Sequence, residues 1–111
     1  MQKNTFDFEN RTAIITGGAQ GFGLDIAKRF LYSGAKVIIW DIDPQMVKKS
    51  VKDIKNPNLS SNIVDVSNYN QVEKCVNEII KNTNIDILIN NAGITGPTST
   101  LWEYDIAMWR K

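Results

Sequence analysis

A short segment after an apolar run is rich in glycine, and its backbone amides could hold an anion. The segment reads Thr-Gly-Gly-Ala-Gln-Gly-Phe-Gly over residues 16–23, with its spaced glycines at Gly17, Gly21 and Gly23. Glycine lets the chain turn sharply and lets N–H groups approach a ligand closely. The helix expected to begin there would direct the positive end of its dipole to the same point. A ligand that carries phosphate is the natural occupant, although a tight strand-to-helix turn can also use glycine for steric reasons alone.

An acidic residue follows the second apolar run. Asp41 lies 18 residues after Gly23 (41 − 23), near the ~20-residue offset at which a carboxylate binds the ribose hydroxyl of a dinucleotide. Asp43, before Pro44, is the better candidate for capping the next helix, which leaves Asp41 for the ligand. A carboxylate there would repel a ribose 2′-phosphate, and neither the four residues after it nor the glycine segment contains Arg or Lys. The sequence therefore predicts NAD rather than NADP.

Polar residues also follow the third and fourth apolar runs. Asp65 is expected to end the third strand, where its carboxylate can accept from an adenine amino group while the Val66 amide contacts a ring nitrogen. Asn90 and Asn91 follow the fourth run, and their amides can either tie strand ends together or contact the cofactor ribose. Because open α/β sheets bind ligands at the carboxyl ends of their strands, all four residues are candidates for the same site.

The elements that would position these residues alternate between two periodicities. Short apolar and β-branched runs predict strands at 12–16, 36–40, 61–66 and 85–89. Helical spacing of apolar residues predicts helices at 21–33, 44–54 and 69–82. This order indicates a parallel sheet covered by helices on both faces, followed by a loop and the beginning of another helix.

Composition and charge exclude several classes of function. A net charge of +1, dispersed along 111 residues, favours neither nucleic acid nor an anionic membrane as a partner. No apolar run approaches the ~18 residues of a membrane span. The absence of histidine removes His-based triads and most zinc sites, so no metal site is predicted. With one cysteine and no visible secretory signal, a cytoplasmic protein is expected.

Two residues in otherwise apolar segments are interpreted as structural. Cys75 lies on the apolar face of the third helix and is expected to be a small core residue. Asp86 interrupts the fourth apolar run, and we expect a polar contact at the start of that strand rather than a catalytic role.

Together these motifs resemble those of the short-chain dehydrogenase/reductase family, in its classical, single-domain branch. The family's Thr-Gly-x-x-x-Gly-x-Gly matches residues 16–23, its acid after the second strand matches Asp41, its Asp-Val matches residues 65–66 and its Asn-Asn-Ala-Gly matches residues 90–93. The resemblance implies an α/β fold, a Rossmann-like doubly wound parallel sheet, incomplete here with its first four strands and intervening helices. It also implies a set of residues that contact the cofactor or lie beside it: Gly17, Gly18, Gln20, Gly21, Phe22, Gly23, Asp41, Ile42, Asp65, Val66, Asn90, Asn91, Ala92 and Gly93.

The resemblance further implies an oxidoreductase that transfers hydride between NAD(P) and an alcohol or carbonyl substrate, of the sugar, polyol or 3-oxoacyl class. Residues 1–111 would be the N-terminal part of a single NAD(P)-binding Rossmann domain, and the complete protein a homo-oligomer, either a dimer or a tetramer. The family's catalytic Ser and Tyr-x-x-x-Lys would follow Lys111, so the catalytic half is expected to be absent and the chain inactive alone. The Tyr-x-x-x-Lys at Tyr32 and Lys36 is interpreted as a coincidence, because Gly34 ends a helix between them.

Other functions fit parts of the pattern. A non-catalytic dinucleotide-binding or interaction module would use the same cofactor residues. A Rossmann-like methyltransferase also has a glycine loop and acids after its second and third strands, but its loop normally has a denser Gly-x-Gly-x-Gly spacing and has no need of Asn-Asn-Ala-Gly. A phospho-receiver domain requires an acidic pair just after the first strand, where this sequence has Thr16 and two glycines, so that class is excluded.

Overall fold

The computed structural model of the chain describes residues 8–91, in which parallel strands alternate with helices. The elements are β1 (Thr12–Thr16), α1 (Gly21–Tyr32), β2 (Lys36–Asp41), α2 (Pro44–Ile54), β3 (Leu59–Ile63), α3 (Tyr69–Ile80) and β4 (Ile87–Asn90). The strand order is β3-β2-β1-β4, and every pairing is parallel. The chain therefore builds outward from β1 to β3 and then crosses back to place β4 on the other side of β1. This is the doubly wound, Rossmann-like arrangement that the sequence predicted.

Alternate residues of the central strands face opposite sides of the sheet, and each side has its own core. On one side Ile15 and Ile39 pack in a cluster with Val47 of α2 and buried residues of α1. On the other side Trp40 packs in a cluster with Val76 of α3. All five residues of β1 are buried, as expected for a strand between two layers of helices. The predicted covering of both faces is confirmed.

The third strand begins and ends earlier than its sequence predicted. The expected range was 61–66, whereas β3 covers Leu59–Ile63, with Leu59 buried opposite Val37. Val64 still donates a backbone hydrogen bond to the Asp41 carbonyl. The next amide, that of Asp65, instead donates to the side-chain oxygen of Gln71. The prediction that Asp65 ends the strand is therefore wrong, because this residue belongs to the turn that leads into α3.

The fourth strand is also displaced from its predicted range of 85–89. It covers Ile87–Asn90, so Asn90 is its last residue and does not follow it. The amide of Asp86 donates to the Thr12 carbonyl over 2.9 Å, and the Asp86 carboxylate accepts from the Thr12 amide over 2.9 Å. These two bonds fix the start of β4 beside β1, and the predicted structural contact of Asp86 is confirmed.

The helix boundaries follow local signals closely. Asp43 caps α2, and its Oδ1 accepts from the amides of Gln45 (3.0 Å) and Met46 (3.3 Å), with Pro44 as the first helical residue. None of the helices in residues 8–91 is long and apolar enough to cross a membrane.

Candidate functional site

The glycine loop (residues 17–23) leaves the carboxyl end of β1 and turns across the end of β2. The Gly17 amide donates to the Trp40 carbonyl over 2.7 Å, which holds the first residue of the loop beside the last residues of β2. Gly17 and Gly21 have φ angles of 63° and 60°, a left-handed conformation that costs other residues about 1–2 kcal/mol. Two of the three spaced glycines are thus required by backbone conformation.

The third spaced glycine is required by close packing. A Cβ atom on Gly23 would lie 2.1 Å from the Gly17 carbonyl oxygen and 2.6 Å from Nδ2 of Asn91. Gly23 therefore lets the first turn of α1 lie directly against the loop and the end of β4. In contrast, a Cβ on Gly21 would meet no atom within 4 Å, so the surface of the loop at this point is open.

The N-terminus of α1 differs from those of the other two helices. Asp43 caps α2 and Asn68 caps α3, each with a side-chain oxygen that accepts from helical amides. Gln20, at the corresponding position of α1, makes no such bond, and the first turn of α1 has no acidic residue. Gly21 and Phe22 are exposed there, Phe22 with 81% of its surface accessible. The amides and dipole of this helix end are therefore directed at the surface without a capping side chain, which suits an external anion.

Asp41 stands where the glycine loop, the end of β2 and the start of α2 meet. Its Oδ2 accepts from the Ala19 amide over 3.2 Å and its Oδ1 accepts from the Asp43 amide over 3.2 Å. Only 8% of Asp41 is accessible, and within residues 8–91 it forms no salt bridge. Each carboxylate oxygen retains acceptor capacity beyond its one backbone bond, so a hydroxyl donor can still be accommodated. A phosphate would meet this negative charge without a cation paired to it.

Asp65 and Val66 lie beside this point, in the turn after β3. The bond from the Val64 amide to the Asp41 carbonyl (3.0 Å) places the beginning of the turn next to the end of β2. Oδ1 of Asp65 accepts from the Ser67 hydroxyl over 2.6 Å and from the Ser67 amide over 3.0 Å. These bonds, that of the hydroxyl first, hold the pKa of the Asp65 carboxyl below its usual range and keep it charged. Ile42, directly after Asp41, is 63% exposed.

The two asparagines at the end of β4 tie strand ends together. Oδ1 of Asn90 accepts from the Thr16 hydroxyl over 3.0 Å, and the Asn91 amide donates to the same hydroxyl over 2.8 Å. Nδ2 of Asn91 also lies 3.5 Å from the Gly17 carbonyl oxygen, to which it donates. The structure thus supports the first of the two roles considered for these residues. Ala92 and Gly93 lie outside the described residues.

A groove between α1 and α2 continues from the glycine loop, and it was not predicted from the sequence. It has a volume of about 420 Å³ and is lined by apolar residues, among them Leu24, Met46 and Ile54, and by polar residues of both helices, Lys28, Lys49, Ser50 and Asp53. Lys49 is paired with Asp53 over 2.8 Å, which offsets its charge. Helical spacing could have placed Lys49 and Asp53 on one face of α2, but the position of that face across the groove from α1 depends on tertiary packing.

The other residues considered in the sequence analysis either lie in separate elements or pack against the core. Tyr32 ends α1 with 90% of its surface exposed, and Lys36 begins β2, so the two residues share no helical face. Cys75 was expected to be a small core residue, and it is half-buried at the edge of the cluster that contains Trp40. Within the described part of the chain, no three His, Cys, Asp or Glu side chains form a group that could hold a metal ion.

Comparison with known proteins agrees with this arrangement. A family model described as short chain dehydrogenase matches residues 11–111. Among curated proteins, 3-oxoacyl-(acyl-carrier-protein) reductase FabG of Chlamydia trachomatis serovar D is 40% identical over 90 residues, which cover 78% of this chain and 36% of that protein. The chain therefore spans little more than a third of the length of this relative. The match gives no support to the methyltransferase alternative.

Solved structures show the same likeness. The 2-keto-3-deoxy-D-gluconate dehydrogenase of Streptococcus agalactiae superposes with a TM-score of 0.74 at 32% identity, over 84% of this chain and 36% of that one. The Pseudomonas aeruginosa RhlG/NADP active-site complex superposes with a TM-score of 0.73 at 28% identity, over 93% of this chain and 42% of that one.

Proposed function

The chain belongs to the short chain dehydrogenase family, and we propose that it serves hydride transfer between a nicotinamide dinucleotide and an alcohol or carbonyl substrate. One observation carries this proposal: the uncapped N-terminus of α1 and the Asp41 carboxylate are joined through a single glycine loop, with the Ala19 amide bonded to Asp41. A helix end that would suit an anion and a carboxylate that would accept from a hydroxyl therefore lie at the two sides of one loop. A dinucleotide offers the matching pair, a pyrophosphate and a ribose.

The residues present are compatible with such a cofactor. The open space at Gly21 and the close approach of α1 to the loop at Gly23 provide a cradle that larger side chains would fill or distort. The loop residues Gly17, Gly18, Gln20, Gly21, Phe22 and Gly23 would bind the pyrophosphate, the first of them chiefly by setting the turn. When bound, the nicotinamide supplies the hydride chemistry, while these residues bind and orient the cofactor.

Asp41 would bind the adenine-ribose hydroxyls and select NAD over NADP. Its two backbone bonds fix the carboxylate, and a 2′-phosphate would have to approach a nearly buried negative charge. The Pseudomonas aeruginosa complex shows that a relative with this fold can bind NADP. The preference is therefore a property of particular side chains and can be tested by substitution.

The other predicted cofactor contacts follow the ends of β2, β3 and β4. Asp65, Val66 and the exposed Ile42 would surround the adenine, because the end of β3 lies against the end of β2. Asn90 and Asn91 would act mainly by holding β4 against β1, and Ala92 and Gly93 stay predicted cofactor contacts. For the whole protein we further propose a substrate of the 3-oxoacyl, sugar or polyol class, a homo-oligomer and a cytoplasmic location.

Calorimetric titration of the chain with NAD and with NADP tests the cofactor assignment. We expect NAD to bind roughly tenfold more tightly, as one charge-assisted hydrogen bond would give. Asp41→Ala should remove most of this preference. Asp25→Ala removes the same charge from the exposed surface of α1 and should leave the preference intact. Equal dissociation constants for the two cofactors in the unsubstituted chain would contradict the assignment.

The family's hydride transfer requires a tyrosine hydroxyl as general acid or base, with a lysine near it. We assign no such pair within the 111-residue chain, because Tyr32 ends α1 and Lys36 begins β2. We therefore expect the 111-residue polypeptide to bind NAD without turnover. Formation of NADH from any small alcohol by the purified polypeptide would refute this, and it would also show that the acid–base group lies elsewhere in the chain.

A further inference from the structure

A buried serine of α2 forms a hydrogen bond outside its own helix. Ser50 is 5% accessible, and its hydroxyl donates to the carbonyl oxygen of Ala19 over 2.6 Å. A serine in the interior of a helix normally bonds to a carbonyl of the preceding turn or faces water. Here its bond joins the middle of α2 to the glycine loop, 31 residues earlier in the sequence.

Ala19 is consequently held from both of its peptide groups. Its amide donates to Oδ2 of Asp41 over 3.2 Å, and its carbonyl accepts from Ser50 over 2.6 Å. The two bonds lie on opposite sides of one Cα atom, so together they restrict both backbone dihedrals of the residue. Ala19 is also 1% accessible, and water cannot readily replace either partner.

The other oxygen of the Asp41 carboxylate is fixed from the same helix. Oδ1 accepts from the amide of Asp43, the residue that caps α2. Both restraints on the carboxylate therefore depend on α2, one directly through its cap and the other through Ser50 and Ala19. Without the Ser50 bond, Ala19 would lose its restraint on the carbonyl side, so its amide would be free to shift and would hold Oδ2 of Asp41 less firmly, while the Asp43 amide still holds Oδ1.

We propose that Ser50 is a positioning residue for cofactor recognition: acting through Ala19, it fixes the Asp41 carboxylate in the orientation that accepts a hydrogen bond from the adenine-ribose 2′-hydroxyl. The inference rests on the proposed function, in which Asp41 binds that ribose. It extends the determinants of selectivity from Asp41 to a residue of α2 whose hydroxyl is bonded to the glycine loop. A carboxylate that is already fixed in the binding orientation loses little conformational freedom when it accepts from the 2′-hydroxyl. A mobile carboxylate must first be ordered, so it binds the same hydroxyl more weakly.

The test compares NAD with its analogue that lacks the adenine-ribose 2′-hydroxyl, using calorimetric titration of the 111-residue chain and of Ser50→Ala. The unsubstituted chain should bind NAD about tenfold more tightly than the deoxy analogue. In Ser50→Ala this ratio should fall to about twofold, while affinity for the deoxy analogue changes by less than about twofold. Ser60→Ala makes the same substitution at an exposed position of β3 and should retain the full ratio.

The outcomes separate this inference from the proposed function. If the unsubstituted chain binds neither ligand, or binds both equally, the proposed role of Asp41 fails. If it discriminates and Ser50→Ala discriminates equally well, only the role of Ser50 is overturned. An equal loss of affinity for both ligands would show that Ser50 merely supports the fold. If Ser50→Ala does not unfold cooperatively, Ser50→Cys replaces it, since cysteine has a similar volume and a weaker donor. A reduced ratio of NAD to deoxy-analogue affinity in Ser50→Cys would then support the role of Ser50, and an unchanged ratio would overturn it.

Discussion

The hydroxyl of Thr16 accepts a hydrogen bond of 2.8 Å from the backbone amide of Asn91. The same hydroxyl donates to Oδ1 of Asn90 over 3.0 Å, so one side chain at the end of β1 satisfies groups from two successive residues of the neighbouring strand end. Thr16 and Asn90 are 74 residues apart in sequence, so this hydrogen bond joins distant parts of the chain. Thr16 therefore fixes the relative position of the two strand ends at the point where the ligand is expected.

Thr16→Val should destabilise the fold without changing the size of the side chain. The substitution removes the acceptor of the Asn91 amide and the donor to Asn90 in a largely buried position, at a cost of about 1–3 kcal/mol. Urea denaturation followed by tryptophan fluorescence measures the change. Thr16→Ser retains the hydroxyl and should be the more stable of the two variants. A Val variant as stable as the Ser variant would show that this hydrogen-bonded link contributes little.

Sequence predicted those parts of the molecule that depend on local signals. The beginning of α2 could be assigned because Asp43 and Pro44 suit the cap and the first turn of a helix, and both occupy those positions. The central strands were also predictable, because β1 and β2 are buried on both faces and their apolar runs are uninterrupted. The glycine loop was recognisable because its positive φ angles require glycine.

Features that depend on a distant partner were missed or misplaced. The range of β3 was wrong because the strand is defined by pairing with β2, and its polar residues Ser60 and Ser61 carry no apolar signal. The hydrogen bond from Ser50 to Ala19 could not be predicted, because the sequence around a helical serine does not indicate which distant group its hydroxyl will contact. The spacing predicted a ligand role for Asp41, and that role stays a prediction. The Ala19 amide that holds its carboxylate could not be predicted, because it lies 22 residues earlier, in the glycine loop.

The thiol of Cys75 should be less reactive in the folded chain than in the unfolded one. Burial raises the pKa of Cys75, the charge of Glu78 raises it further, and a contact with Trp40 partly opposes them. Less thiolate is therefore present at a given pH, and alkylation by iodoacetamide at pH 8 should be roughly threefold to tenfold slower than in urea. The pH of half-maximal rate should be higher in the folded chain, and Glu78→Gln should lower it. A folded thiol that titrates at or below the unfolded value would contradict this account.

The Asp65 carboxyl should become easier to protonate when Ser67 loses its hydroxyl. The Ser67 hydroxyl is the first cause of the lowered pKa of Asp65, and the Ser67 amide is the second. In Ser67→Ala the amide bond remains, so NMR titration should find the pKa raised only part of the way to its usual value. The pair stabilises the fold above the unfolded-state pKa of about 3.9, and this contribution is lost as pH falls through the lower folded-state pKa. Ser60→Ala is the control. An unchanged Asp65 pKa in Ser67→Ala would exclude the hydroxyl as the cause.

Gly23 and Gly21 should respond differently to alanine although they lie in the same turn of α1. A Cβ at Gly23 would meet the Gly17 carbonyl oxygen at 2.1 Å, so α1 would have to move away from the loop, at a cost of about 3 kcal/mol or more. A Cβ at Gly21 meets open space, and Gly21→Ala should cost only the roughly 1–2 kcal/mol of its left-handed backbone. Thermal unfolding of both variants checks the order. If Gly23→Ala is the more stable variant, α1 does not pack against the loop as closely as this structure requires.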